Sequence, residues 1–317
     1  MAYVLVVGDA NVDLVMHLPG AGQPHHHGEL QPKIVGGGTA ANTAVALARL
    51  GLPVCFAGAI GNDRYGRWLR EDFAREHVDT RGLIACEDAF TPTVVIAVAA
   101  DGERHAVLWP PDGWAHTLLR PSDIPEALIA GASWLHTTGM CLRAEPVRSA
   151  VLHSMRAARE SGVPVSIDLN LRLELWGWDD ELRQVFAQAA ALADVVFGNA
   201  REEILPLVGA HHALEAARAL CAGRRTVVAR LGASGALAAA PGEQAQAPAF
   251  TVEVVNTVGA GDAFNGGFIA AQLAGLGLRE SLRWGNAVAA LKIGGDSARA
   301  LPARAQVLEL LRTNPLA

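Results

Sequence analysis

The sequence predicts an α/β protein built on a central, largely parallel β-sheet with helices on both faces. Of its 317 residues, 51% are apolar and 18% charged, and mean hydropathy is +0.23, which suits a substantial buried core and excludes a disordered chain. Short Val/Ile-rich runs bounded by Gly or Pro alternate with longer segments of helical period, the rhythm of parallel βαβ units. No internal repeat, low-complexity linker or domain boundary interrupts that rhythm, so residues 1–317 read as a single domain.

The expected strands fall at Val4–Val7, Val54–Ala57, Trp134–His136, Val165–Ile167, Val195–Phe197 and Thr226–Ala229. Helices are expected at Ala40–Leu50, Tyr65–Glu76, Pro146–Glu160, Asp180–Leu192 and His212–Cys221. The one at Pro146 has Pro in its first turn, Gly162 after its end and Pro164 beyond. Ala238–Ala249 suits a strand-turn-strand surface, Val252–Val255 a further strand, and three helices near Gly261–Leu273, Leu278–Lys292 and Ala303–Leu311 close the chain. Val12–His17, Glu29–Ile34 and a hairpin of Thr93–Ala99 with Glu103–Trp109 around Asp101-Gly102 do not fit the alternation. They are expected to form a small, discontinuous β lid from about 12–35 and 92–110.

The composition excludes several classes of function. Lys+Arg number 26 against 32 Asp+Glu, a net charge of −6. With no run of like charges, a nucleic-acid partner is not expected and an anionic ligand must be held locally. Cys55, Cys86, Cys141 and Cys221 lack the C-x-x-C spacing of zinc or redox sites. The apolar run Tyr3–Val7 is too short for a signal peptide, and no stretch reaches the roughly 18 apolar residues of a membrane helix. A cytoplasmic protein with no membrane partner is the expectation.

The most informative stretch is Asn256-Thr257-Val258-Gly259-Ala260-Gly261-Asp262-Ala263-Phe264. Small residues just before a helix let the N–H groups of Gly259, Ala260 and Gly261 converge on an anion such as phosphate, assisted by the helix dipole. The pattern is neither a Walker loop nor a dinucleotide fingerprint. Asp262 admits two readings: an N-terminal cap worth about 1 kcal/mol, or a general base that takes a hydroxyl proton beside the anion.

With Gly259-Ala260-Gly261-Asp262 after Asn256-Thr257, the chain resembles the C-terminal signature of the ribokinase-like, or PfkB-type, carbohydrate kinases. The resemblance extends over nearly the whole chain and implies a three-layer α/β/α fold with a β lid. It implies an ATP-dependent kinase acting on a hydroxyl of a small sugar of the ribose, fructose or 2-keto-3-deoxygluconate class, with Asp262 as base. A nucleoside kinase of the adenosine type and a sugar-binding regulator that has lost catalysis are the alternatives. The intact Asp262 and its glycine turn argue against the regulator.

The N-terminal counterpart is Gly37-Gly38-Thr39-Ala40-Ala41-Asn42, leading into an Ala-rich helix. Its glycines let backbone approach a small polyol, and Asn42 offers a donor and an acceptor; a glycine triplet alone would read as a flexible turn. The resemblance assigns substrate hydroxyls to Asn11 and Asp13 in Gly8-Asp9-Ala10-Asn11-Val12-Asp13. Asp168-Leu169-Asn170-Leu171-Arg172 with Leu175-Trp176 resembles the fructokinase and 2-keto-3-deoxygluconate kinase branches. Arg172 can fork onto a phosphate or a substrate carboxylate, or form only a surface ion pair.

For the nucleotide, the resemblance implies Asn199, Gly232, Gly235 and Asn286, with Glu202 serving Mg2+ through water. Read alone, Asn199 and Glu202 would be a helix cap and its capping-box partner. The chain departs from the family at Asn256, where relatives have Asp, and at Gly295-Asp296-Ser297-Ala298-Arg299-Ala300-Leu301-Pro302. Those regions surround a monovalent-cation site in potassium-activated members, so Asn256 weakens the implication of K+ while leaving base and anion hole intact. His25-His26-His27 reads as an exposed loop and Trp109 and Trp114 as packing residues. Open lid edges suit pairing of two chains, so a homodimer through the lid is expected.

Overall fold

In the first strand Val4 and Val6 pack into one apolar cluster and Leu5 and Val7 into another, all four buried. A strand apolar on both faces belongs inside a sheet covered on both sides. The computed structural model, which describes residues 2–18, 32–100, 104–110, 112–173 and 177–315, has that arrangement. Its strands are β1 Tyr3–Val7, β2 Asn11–His17, β3 Lys33–Gly37, β4 Val54–Gly61, β5 Asp79–Cys86, β6 Thr93–Val98, β7 Arg104–Trp109, β8 Ala132–Thr138, β9 Val165–Asp168, β10 Val195–Asn199, β11 Thr226–Arg230, β12 Ala236–Ala240 and β13 Glu243–Ala247.

The main sheet runs β13-β12-β11-β10-β9-β8-β1-β4-β5. It is parallel from β11 to β5, with β12 and β13 added antiparallel at one edge. Helices Val147–Glu160, Asp180–Leu192 and Ala213–Cys221 cover the Leu5/Val7 face. Thr39–Arg49, Arg64–Arg75, Ala260–Leu273 and Leu278–Ile293 cover the Val4/Val6 face. The result is three layers, the architecture of α/β proteins with a parallel sheet. Among the described residues no helix is long and apolar enough to cross a membrane.

One helix contact places the site. Thr39–Arg49 and Ala260–Leu273 carry small residues where they meet, and a Cβ added at Gly266 would lie only 2.7 Å from Ala46 Cβ. Bulkier residues there would wedge the two helix N-termini apart. The second sheet, β3-β2-β6-β7, stands apart from the first. Its β2 pairs antiparallel with β3 and parallel with β6, and β6 pairs antiparallel with β7.

The structure corrects several expectations. Val252–Val255 is not a strand: Val254 and Val255 are 60% and 49% exposed, and the N–H groups of Val255 and Asn256 turn to Ile293 O. The strand expected at Glu29–Ile34 runs instead over Lys33–Gly37, where it pairs with β2. Residues 29–31, the 101–102 turn, Leu175-Trp176 and His25-His26-His27 lie outside the described residues. Strand β5 was not anticipated, because its mixed burial at the sheet edge leaves no clean apolar run. Trp109 is 60% exposed, so it is not a packing residue.

Candidate active site

The site residues gather around the C-terminal ends of the parallel strands, where open α/β sheets hold ligands. After β1, the Asp9 carboxylate accepts hydrogen bonds from Thr39 N (2.8 Å), Thr39 Oγ1 (2.9 Å) and Ala40 N (3.1 Å). It thereby satisfies free N–H groups at the start of Thr39–Arg49 and complements that helix's dipole. Gly38 makes the approach possible. Its φ is +98°, and a Cβ would lie 2.6 Å from Asp9 O.

The helix so anchored presents Asn42, whose Nδ2 donates to Asp262 Oδ2 at 2.9 Å. Residues 220 positions apart are thus joined across the two glycine turns. Among the described residues Asn42 Oδ1 is buried and accepts no hydrogen bond, so it can accept one from an incoming hydroxyl. Asp262 itself is buried and makes no capping bond, the N-cap position being Gly259. This removes the cap reading. Burial pushes the Asp262 carboxyl up to about 7; the Asn42 hydrogen bond opposes that rise, while the Asp168 and Asp9 charges add to it. A carboxylate poised near neutrality is suited to general-base work.

Beside it, Gly259 has φ +80°, a left-handed conformation natural to glycine. Ala260 N turns back to Thr257 O at 3.1 Å, so of the three expected donors Ala260 is engaged within the turn. Gly259 and Gly261 N–H have no protein acceptor among the described residues.

On the lid side, Asn11 Nδ2 donates to Asp13 Oδ1 at 2.6 Å. Gly37 pairs with Asn11 across β2 and β3, and a Cβ on Gly37 would lie 2.6 Å from Asn11 Nδ2 and 2.8 Å from Asp13 Oδ1. Burial pushes Asp13 up to about 6, against the Asn11 hydrogen bond and the Arg299 charge. Arg172 is exposed at φ +46° and contacts none of these residues. The structure does not draw it into the group.

On the other side, Asn199 ends β10 opposite Arg230 of β11. Its Oδ1 accepts from Arg201 N (2.9 Å) and Glu202 N (3.0 Å), capping the π turn Ala200–Ile204. Glu202 points to solvent, and the reciprocal bond to Asn199 N is made by Glu203. The capping-box partner is therefore Glu203, one residue later than expected, because the π turn carries an extra residue. Gly232 has open space around it, whereas a Cβ on Gly235 would meet Ala247 O at 2.1 Å. Asn286 Nδ2 holds Ala247 O and Pro248 O, both at 3.0 Å.

Sequence reasoning assigned no role to the buried ionic group between these halves. Arg230 bonds both oxygens of Asp168 and also Asn265 Oδ1 at 2.8 Å, while Asn265 Nδ2 reaches Asp168 Oδ2 at 2.6 Å. Glu203 lies 3.5 Å from Arg230 Nη2. Burial and the Asp168 charge push Glu203 up. The available signal was positional: Asp168 and Arg230 each end a parallel strand. Two surface hollows of about 440 Å³ lie elsewhere, near Glu126 and His153 and near Arg218 and Glu243, and neither is lined by Asn42 or Asp262.

The family model for pfkB family carbohydrate kinases matches residues 1–304. The chain belongs to that family. Aminoimidazole riboside kinase of Salmonella typhimurium is 36% identical over 272 residues, covering 85% of this chain and 80% of that protein. Fructokinase of Klebsiella pneumoniae is 34% identical over 281 residues, covering 88% and 87%. Among solved structures, Xylella fastidiosa fructokinase with bound ATP superposes with a TM-score of 0.85 at 28% identity, covering 98% of each chain. A Vibrio cholerae fructokinase double mutant bound to fructose, ADP and potassium ion gives 0.81 at 32% identity, again covering 98% of each. As a PfkB-family kinase the protein is a phosphotransferase with a hydroxyl acceptor, and the Asn42–Asp262 pair lies where its two glycine-rich signatures meet.

Proposed function

We propose that the protein transfers the γ-phosphoryl group of ATP to a hydroxyl of a small sugar, with Asp262 as general base. The observation that carries this reading is the 2.9 Å bond from Asn42 to the buried Asp262 carboxylate. Asn11, Asp13, Gly37 and Gly38 form the polyol side, with the unsatisfied Asn42 Oδ1 available to a substrate hydroxyl. Asp262 takes the proton as that hydroxyl's oxygen attacks phosphorus. Gly259 and Gly261 N–H, at the positive end of Ala260–Leu273, stabilise the charge on the transferring group.

Mg2+ fits the oxygen donors on the nucleotide side. Glu202 has an exposed carboxylate next to the Asn199 cap, suited to holding a hydrated magnesium ion through water, and the ion would offset phosphate charge. Asn199, Gly232, Gly235 and Asn286 line the proposed nucleotide side. Arg172, exposed at the mouth of the Asp168–Arg172 loop, remains for an anionic substituent or product phosphate. The open edge of β7, with Val107 and Trp109 exposed, supports pairing of two lids in a homodimer.

A riboside acceptor is the second reading, supported by the 36% identity to aminoimidazole riboside kinase and by the exposed rings of Phe90 and Trp109 beside the lid. An ADP-release assay over ribose, fructose, 2-keto-3-deoxygluconate, adenosine and aminoimidazole riboside decides between them. Asp262→Asn should bind nucleotide yet lose on the order of 100-fold or more in turnover. Near-wild-type turnover would remove Asp262 from the role of base.

A further inference from the structure

Lysines almost never lie fully buried unless their charge is used or paired. Lys292, in the last turn of Leu278–Ile293, is 0% exposed. Its Nζ donates to Asn256 O at 2.7 Å, immediately before the turn that carries Gly259 and Gly261. The same turn is braced by Val258 N on Asn256 Oδ1 (2.9 Å), by Asn256 Nδ2 on Asp296 O (2.8 Å) and by Ala260 N on Thr257 O (3.1 Å).

These contacts test whether a potassium ion fits. Such an ion is held by oxygen atoms turned onto it in place of its hydration shell. Here Asn256 O faces the Lys292 ammonium, Asn256 Oδ1 faces Val258 N–H, and Asp296 O faces the Asn256 amide. The side chain at 256 is neutral, and the Asp296 carboxylate turns outward to Lys33 at 2.6 Å. The arrangement does not fit a monovalent cation.

Resting on the kinase reading, we propose that the Lys292 ammonium is the built-in cation of the phosphate turn, so that the enzyme works without potassium. Fixed to Asn256 O, it holds the turn in shape and supplies positive charge near the developing negative charge of the transferring phosphoryl group. Lys292 acts through Asn256 and is a positioning residue. Lys292→Met removes the ammonium and keeps much of the side chain's volume, so in a folded variant a loss of kcat separates the proposed role from a merely structural one.

The test uses ADP affinity by calorimetry and steady-state kinetics with the best acceptor, in potassium chloride and in tetramethylammonium chloride of equal ionic strength. Wild type should differ by less than about twofold between the salts, whereas activation of about tenfold or more by potassium would overturn the proposal. Lys292→Met should remain folded by thermal unfolding and lose about tenfold or more in kcat with a smaller change in sugar KM. Lys292→Arg, which keeps the positive charge, should recover most of that loss, and a kcat as low as that of Lys292→Met would overturn the proposal. An unchanged kcat in folded Lys292→Met would overturn the proposal, and if that variant does not fold, the wild-type salt comparison and Lys292→Arg decide. Should no acceptor release ADP, the kinase reading fails separately, and the ADP affinities alone decide whether potassium acts on this turn.

Discussion

Arg230 Nη1 lies 2.7 Å from Asp168 Oδ2 and Nη2 lies 2.8 Å from Asp168 Oδ1, a two-point clasp between residues that each end a parallel strand. The same guanidinium comes within 3.4 Å of Gly261 O, so the clasp ties the sheet to the turn proposed to hold phosphate. Burial works against the Arg230 charge, but Asp168 outweighs it and holds the guanidinium above its usual pKa.

Breaking this clasp should be costly. Arg230→Met leaves Asp168 and Glu203 buried without their cation, and loss of one partner of a buried pair typically costs about 3–5 kcal/mol. Urea unfolding should show that loss, and adding Asp168→Asn should recover part of it. Strict additivity of the two substitutions would mean that the pair is not coupled.

Asp262 sets a pH limb. With its carboxyl pushed up to about 7 by burial, the base is protonated and idle on the acid side, so kcat/KM should fall as pH drops below about 7. Asp13, at about 6, should steepen the fall further down. A rate flat from pH 5 to 8 would contradict both assignments.

The residues of this centre were unequally legible in the sequence. Asn42 and Asp262 sit in contiguous glycine-rich runs that the family resemblance picks out, although read alone the first run suits a flexible turn and Asp262 suits a helix cap as well as a base. The Asp168–Arg230 clasp spans 62 positions and has no local pattern; only the order of strands brings it together. Glu202 and Glu203 are the same residue type side by side, and only the extra residue of the π turn buries one and exposes the other. The apolar run Val252–Val255 imitates a strand because periodicity records hydrophobicity and not whether a partner strand is present.

Gly37 keeps the polyol side open. The Cβ in Gly37→Ala would lie 2.6 Å from Asn11 Nδ2 and 2.8 Å from Asp13 Oδ1, displacing the pair proposed to hold the acceptor. Sugar KM should rise about tenfold while KM for ATP stays within about twofold. Equal rises in both constants would mean that the strand, and not the acceptor side, had moved.

Asn42 tunes the base. Its hydrogen bond favours ionised Asp262, and such a bond is worth about 1 kcal/mol or somewhat more. Asn42→Ala should therefore move the acid limb of kcat/KM upward by roughly one pH unit, besides lowering affinity for the acceptor. A downward or absent shift would show that the bond does not bear on the base.

The same carboxyl makes the fold pH-dependent in a definite direction. Asp262 is near 7 when folded and about 4 when unfolded. Below about 4 both states hold the proton and stability is unaffected. As pH rises from there to about 7, the unfolded chain ionises first and the fold loses stability, reaching a plateau of about 4 kcal/mol above. Asp262→Asn carries no such penalty but keeps an oxygen for Asn42. Its advantage over wild type in urea unfolding should therefore be about 2–3 kcal/mol larger at pH 8 than at pH 5. Asp13 and Glu203 titrate with the same sign in both proteins and cancel, so curves that stay parallel across that range would show that Asp262 is not held protonated by its burial.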